Sequence, residues 1–171
     1  MLPLDFVLAH IIDPVLDLME PHDPGVRSES ARFLVLGTML KESDHFRTRH
    51  QYGDGPARSL AQIERATFND VMERYFGRNF GMRQALGQLC GNGATGAWSE
   101  LAGEGHADND WVAAMICRAI YRYRPGKLPE PRDAVGMGVH WKRYYNTIAG
   151  KGRHEDFTQL YRDYVLPMIR L

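Results

Sequence analysis

The chain has 171 residues, a length that suits one domain with its own hydrophobic core. Its 21 Lys and Arg balance 21 Asp and Glu, so there is no overall basic excess to release counterions from nucleic acid. A hydrophobic content of 44% is too high for a disordered chain, and no apolar run approaches the roughly 20 residues that span a bilayer.

Taken in chain order, Leu4 to Met19 reads as a helix, with Phe6, Val7, Ile11, Val15 and Leu18 at helical spacing. Pro14 is expected to kink or split it. This region lacks a basic leading segment and carries Asp5, Asp13 and Asp17, which argues against a cleaved secretory signal. Glu20 to Arg27 holds two prolines and a glycine and is a connection. Ser28 or Ser30 then caps a helix from Ala31 to Lys41. Its Phe33, Leu34, Leu36 and Leu40 cover much of the circumference, which places it at the domain centre. Gly37 in its middle costs about 0.5–1 kcal/mol against Ala, a cost that a close helix contact would explain.

Arg47 to Tyr52 reads as a short strand and Gly53 to Arg58 as a turn. Thr67 with Asp70 looks like a capping pair that opens a helix to Phe76. Met82 to Cys90 is another short helix. Gly91 to Gly105, which includes Trp98, is expected to be a long loop. Asp108 or Asn109 caps a helix from Asp110 to Tyr123, and His106 belongs to the loop before it. Pro131 opens a helix from Arg132 to Thr147. Asp156 to Ile169 closes the chain, with Pro167 ending that helix. The sum is seven or eight helices, at most one small hairpin and no repeats: a mostly helical single domain over residues 1–171. Cys90 and Cys117 belong to no close-spaced motif, so reduced, buried thiols and synthesis in the cytosol are expected.

The stretch KESDHFRTRHQYGDGPARSLAQIE, Lys41 to Glu64, spaces Glu42, Asp54 and Glu64 around a glycine-containing turn. A solvated loop, a metal site and a sugar-cleaving site are the three readings. For a metal, Asp44, His45 and His50 are the candidate ligands. The five-residue spacing of the histidines would point them to opposite faces of an extended segment, so no metal is expected. Glu42 ends an apolar helix, where a negative charge is disfavoured by about 0.3–1 kcal/mol. It either points into solvent or sits in a cleft with its pKa raised. The second case is what a general acid near neutral pH requires. Glycoside hydrolysis needs such an acid, with a second carboxylate from another segment to activate water or stabilise the oxocarbenium-like transition state. The cluster Arg118, Arg122, Arg124 and Lys127 is either a basic patch for an anionic polymer or a solvated helix end. Gly91-Asn92-Gly93 and Gly103 to Gly105 lack the strand–loop–helix setting of a phosphate loop, and no cofactor is expected.

Glu42-Ser43 after an apolar helix, then Tyr52-Gly53-Asp54, then Leu60-Ala61-Gln62-Ile63 with Glu64, resembles goose-type lysozymes and soluble lytic transglycosylases. The goose-type lysozymes, with their aromatic-Gly-Asp turn, are the nearer match. Tyr144-Tyr145-Asn146-Thr147 followed by Gly150 resembles the late Ala-Tyr-Asn-Ala-Gly motif of the same superfamily. The likeness covers residues 33–70 and 141–152. Ser59 stands where the family has glycine, Ala61 where it has methionine, and Glu64 where aspartate is usual.

The resemblance implies a lysozyme-like helical domain in which Glu42 is the general acid. Asp54 and Glu64 would hold or activate the hydrolytic water. The substrate-binding set would be Ser43, Gln62, Tyr145 and Asn146. Within it Ser43 orients the neighbouring backbone, Gln62 and Tyr145 contact sugar, and Asn146 braces the site. Tyr145 also reads as a core aromatic, since Trp141, Tyr144 and Tyr145 fall at helical spacing. The extra atoms of Ser59 would narrow the site. The implied activity is cleavage of the β-1,4 bond between N-acetylmuramic acid and N-acetylglucosamine in peptidoglycan glycan strands. Hydrolysis is preferred to the anhydro-forming transglycosylase reaction, because two further acids accompany Glu42. The implied setting is a bacteriophage enzyme, made in the cytoplasm and acting at the cell wall, either as an endolysin or within the virion beside other virion proteins. Nucleic-acid binding and membrane insertion are not expected. The rivals are an inactive structural or glycan-binding virion protein of the same fold, and a chitinase-like or chitosanase-like enzyme.

Overall fold

The computed structural model describes residues 2–53, 55–91, 93–102, 109–147 and 150–169. The first helical stretch runs as α1 (Leu4–Val7), a wide π-helical turn (Leu8–Ile12) and α2 (Asp13–Met19). Pro14 falls in the first turn of α2. The chain stays helical through it, and the wide turn just before accommodates the missing N–H.

α3 (Glu29–Glu42) starts where the Ser28 hydroxyl accepts a hydrogen bond from the Ala31 N–H at 3.1 Å. Every residue from Phe33 to Leu40 is buried, so the helix is packed on all sides. Gly37 is where α3 meets the C-terminal helix. A Cβ there would lie 3.0 Å from Phe157 Cζ and 3.1 Å from Tyr161 Cδ2. This is the close helix contact expected of it.

The strand expected at Arg47 to Tyr52 does not form. Among the described residues, bridge pairing is limited to His50 with Arg58 and Arg58 with Ile63. The segment has no alternating apolar face to bury, so extended pairing gains nothing there. α4 (Arg65–Arg74) begins at Glu64 without a side-chain cap. The expected Thr67–Asp70 capping pair is replaced by tertiary bonding, in which Asp70 accepts from Tyr123 Oη at 2.6 Å and from Arg74 Nε at 2.5 Å. α5 (Phe80–Leu89) is capped by Asn79.

The expected long loop after Cys90 contains a 3₁₀ turn (Ala94–Gly96) and α6 (Ala97–Ala102). Packing overrides the glycine content. Ala97 and Leu101 are fully buried, and Trp98 meets the Phe68 ring edge-on at 5.4 Å with the Arg65 guanidinium 4.8 Å from its centroid. Asp108 and His106 lie outside the described residues. Asn109 caps α7 (Asp110–Arg122), which is buried from Val112 to Tyr121.

α3 and α7 form the centre of the domain, joined by a hydrogen bond of 2.8 Å between Thr38 Oγ1 and Tyr121 Oη. α8 (Ala134–Trp141) starts at an Asp133 cap rather than at Pro131, and a π-helical turn (Lys142–Asn146) extends it. α9 (His154–Leu160) continues through a π-helical turn (Tyr161–Val165) into a 3₁₀ turn (Leu166–Met168) that contains Pro167. Trp141, Phe157 and Tyr161 stack in sequence, with centroid spacings of 5.1 and 6.0 Å. Cys90 and Cys117 are both buried free thiols. The fold is mostly helical. Among the described residues no helix is long and apolar enough to cross a membrane.

α8 and α9 touch backbone to backbone at Gly138, where a Cβ would fall 2.7 Å from the His154 carbonyl oxygen. Backbone cannot rotate aside. Gly138→Ala should therefore destabilise the protein by about 1–3 kcal/mol despite the better helix propensity of Ala. Urea unfolding would show this as a lowered midpoint. An unchanged midpoint would mean that the contact is slack.

Candidate active site

The candidate site is built at the C-terminal end of α3. Ser43, fully buried, caps that end: its hydroxyl donates to the Met39 carbonyl at 2.5 Å and accepts from the Phe46 N–H at 2.8 Å. The next three residues, Asp44, His45 and Phe46, all have positive φ (49°, 60° and 61°). Non-glycine residues in that region cost about 1–2 kcal/mol each. The turn is held by the His45 N–H bonding back to Leu40 O at 2.8 Å and by the buried Phe46 ring. This turn stops the helix abruptly and leaves Glu42 as its last residue.

The Glu42 carboxyl does not point into open solvent. Its side chain is half-buried, and Trp141 Nε1 donates to its Oε1 at 2.9 Å. Trp141 is itself buried in the stack with Phe157. Burial raises the Glu42 pKa to about 7, against smaller lowering contributions from the Trp141 hydrogen bond and the Lys41 charge.

Three distant segments converge here. The Trp141 bond joins the end of α3 to the end of α8. Tyr145 Oη donates to the Ala61 carbonyl at 2.6 Å and so joins the Leu60-Ala61-Gln62 turn to the same helix. That turn is closed by reciprocal backbone bonds between Arg58 and Ile63, of 3.0 and 2.8 Å. Gln62 Nε2 reaches Ser59 O at 2.9 Å. Lys142 Nζ donates to Asn146 Oδ1 at 2.8 Å and to Gly150 O at 2.7 Å, which fastens the segment after α8.

A cleft of about 660 Å³ opens between these segments. Glu42, Gln62, Glu64, Tyr145 and Asn146 all line it. Ser43 does not. With no exposed surface it orders the backbone after Glu42 and cannot touch a ligand. Asp54 lies outside the described residues. Ser59 does not narrow the cleft as expected: it is buried, absent from the lining, and has φ of 68°. Its departure from glycine therefore bears on backbone conformation. Tyr145 is a core aromatic that also lines the cleft: it stacks on Tyr121 at 5.5 Å, and burial raises its pKa well above the usual tyrosine value.

Sequence reasoning missed two contributors. From its sequence position Trp141 reads as core, although its place one helical turn before Tyr145 puts the two on one face. Tyr52, which the sequence places at the end of a strand and in the aromatic-Gly-Asp motif without a role of its own, is exposed on the cleft wall with its hydroxyl 3.2 Å from Asp44 Oδ2. Among the described residues no cluster of three or more His, Cys, Asp or Glu could hold a metal. His45, one of the residues weighed for that role, instead bonds Asp44 at 3.4 Å and packs edge-on against Tyr164. Comparison with protein-family models, curated proteins and solved structures returned no match.

The raised pKa of Glu42 makes folding stability depend on pH. The folded state holds its proton up to about pH 7, whereas the unfolded chain releases it near 4.5. The stabilising contribution of the neutral carboxyl is thus complete below the unfolded value and is lost as pH rises through the folded one. The loss approaches about 3 kcal/mol. Glu42→Gln keeps the shape and stays neutral, so it should match the parent near pH 4.5 and exceed it by about 3 kcal/mol at pH 8. Urea unfolding at the two pH values checks this. The same difference at both would show that Glu42 ionises normally.

Proposed function

We propose that this chain is a lysozyme-like muramidase, a glycoside hydrolase that cleaves the β-1,4 bond between N-acetylmuramic acid and N-acetylglucosamine in peptidoglycan. The observation that carries the reading is the Glu42 carboxyl, with its pKa raised to about 7, on the wall of a cleft shared with Glu64. A protonated carboxyl and an exposed carboxylate on separate segments are what glycoside hydrolysis needs. The convergence of the Glu42, Gln62 and Tyr145 segments at this cleft also supports the likeness to goose-type lysozymes seen in their motifs.

In this mechanism Glu42 gives its proton to the glycosidic oxygen as the bond to the anomeric carbon breaks. Water adds to that carbon and passes its proton to Glu64, with Asp54 assisting by the same resemblance. The product carries a free reducing end. Gln62 and Asn146 offer hydrogen bonds to the sugar, and Tyr52 offers an exposed aromatic face. Lys151, also on the cleft wall, offers a cation to the lactyl carboxylate of the muramic residue. Chitin has no such carboxylate, so this lysine favours peptidoglycan. The setting that goes with this reading is a bacteriophage enzyme, made in the cytoplasm and acting at the cell wall alone or beside other virion proteins.

Turbidity loss of permeabilised Gram-negative cells is the direct assay. Glu42→Gln should lower the rate by at least about 10²-fold. The parent rate should fall as pH rises through about 7, where Glu42 loses its proton. Mass spectrometry of the digest should find free reducing ends. Chiefly anhydro products would instead assign the single-acid transglycosylase route. An inert parent would move the assignment to a glycan-binding or structural virion protein.

A further inference from the structure

A second cleft, of about 490 Å³, lies between the N-terminal turn of α3 and the C-terminal end of α7. Arg118, Arg122, Arg124 and Lys127 all line it. Arg118 is not part of a solvated helix end, because only 3% of it is exposed. Its Nε donates to the Val26 carbonyl at 2.7 Å, while its two Nη groups have no acceptor among the described residues. Asp23, the carboxylate that acts on it electrostatically, is already engaged. That carboxylate takes two hydrogen bonds from Arg122, at 2.7 and 2.9 Å, and one from Tyr75 Oη at 2.7 Å.

Arg124 is half-buried, and Asp70 acts on it electrostatically. Its Nε is buried without a partner, and its guanidinium sits 4.6 Å from the Tyr123 ring centroid. The opposite wall is the start of α3, where the Ser28 hydroxyl is used by Ala31. The N–H groups of Glu29 and Ser30, ahead of the first intrahelical bond, have no acceptor among the described residues. Glu29 and Glu130 also line this cleft; both are solvent-exposed, and Glu130 is turned to Lys127 at 2.9 Å.

A buried guanidinium whose one carboxylate neighbour is already engaged by another arginine is costly unless a further anion accompanies it. We propose that this cleft binds the terminal phosphate of a phosphorylated small molecule. Guanidinium donors such as those of Arg118 and Arg124 suit the oxygens of a phosphate. The free amides and positive end of α3 add to the same field. Asp23 neutralises Arg122 and Glu130 pairs with Lys127, which leaves the guanidinium groups of Arg118 and Arg124 for the ligand, and two cations suit a dianion better than a single carboxylate. The cleft is far larger than a phosphate group, and Tyr121, Leu128 and Pro131 line the remainder for the organic part. The site is independent of the muramidase reading. It sits at the opposite end of α3 from Glu42, about 20 Å away along the helix.

The test titrates the full chain with glycerol 3-phosphate at constant ionic strength and follows backbone amides by ¹⁵N NMR. Saturable shifts centred on Glu29 and Ser30 are expected, together with affinity at least about tenfold weaker in Arg124→Met. Arg118→Met should behave likewise, and Arg124→Met, at the less buried position, decides if that variant fails to fold. Absence of saturable shifts, or Arg124→Met binding as well as the parent, would overturn the site. Equal affinity for acetate would overturn the assignment to phosphate. Loss of the proposed cell-wall activity in another experiment would leave each of these outcomes unchanged.

Discussion

The arrangement around Glu42 depends on one contact at the edge of the core, the hydrogen bond from the Trp141 indole to the Glu42 carboxyl at 2.9 Å. Burial at this point favours the protonated acid. The indole N–H moderates this by stabilising the charged form, and it also fixes where the carboxyl points. The balance leaves a pKa of about 7, at which the group is poised to give or take a proton in the neutral range. One residue pair thus links core packing to chemistry. Trp141 is anchored by Phe157 and Tyr161, and those rings pack where Gly37 lets α9 close onto α3.

Holding the carboxyl there has a conformational cost. Asp44, His45 and Phe46 adopt left-handed backbone in succession, and Ser59 and Gln62 do so in the facing turn. Local strain of this kind persists only when the surroundings over-determine it. Here the surroundings are the buried Ser43 cap, the Phe46 anchor, the Tyr145 bond to Ala61 and the Lys142 clasp on Asn146 and Gly150. Gln62 of the second turn lines the cleft, and the first turn follows directly on Glu42, which lines it as well.

What could be read from sequence follows the range of the forces involved. α3 and α7 were legible because their apolar residues surround the helix and need no knowledge of a partner. Glu42 was legible as one of two states, and only the position of Trp141, 99 residues away, decides between them. α6 was missed because its local glycine content argues for a loop, whereas Ala97, Trp98 and Leu101 gain their stability from distant helices. The strand at Arg47 to Tyr52 was over-read from extended chemistry that lacks a face to bury. The Ser43 hydroxyl satisfies backbone groups beside Glu42, and Ser59, expected to narrow the cleft, turns its hydroxyl inward to a backbone N–H. Motif spacing identified which segments meet; it did not carry which atoms face the cleft.

The central claim is that Glu42 is a half-buried acid with a raised pKa, held by Trp141. Its most direct test is the titration of the Glu42 side-chain carboxyl by ¹³C NMR, in the parent and in Trp141→Phe. The account predicts a midpoint of about 7 in the parent and a higher one when the indole donor is removed. A midpoint near 4.5 in the parent, or one that Trp141→Phe leaves unmoved, would contradict it.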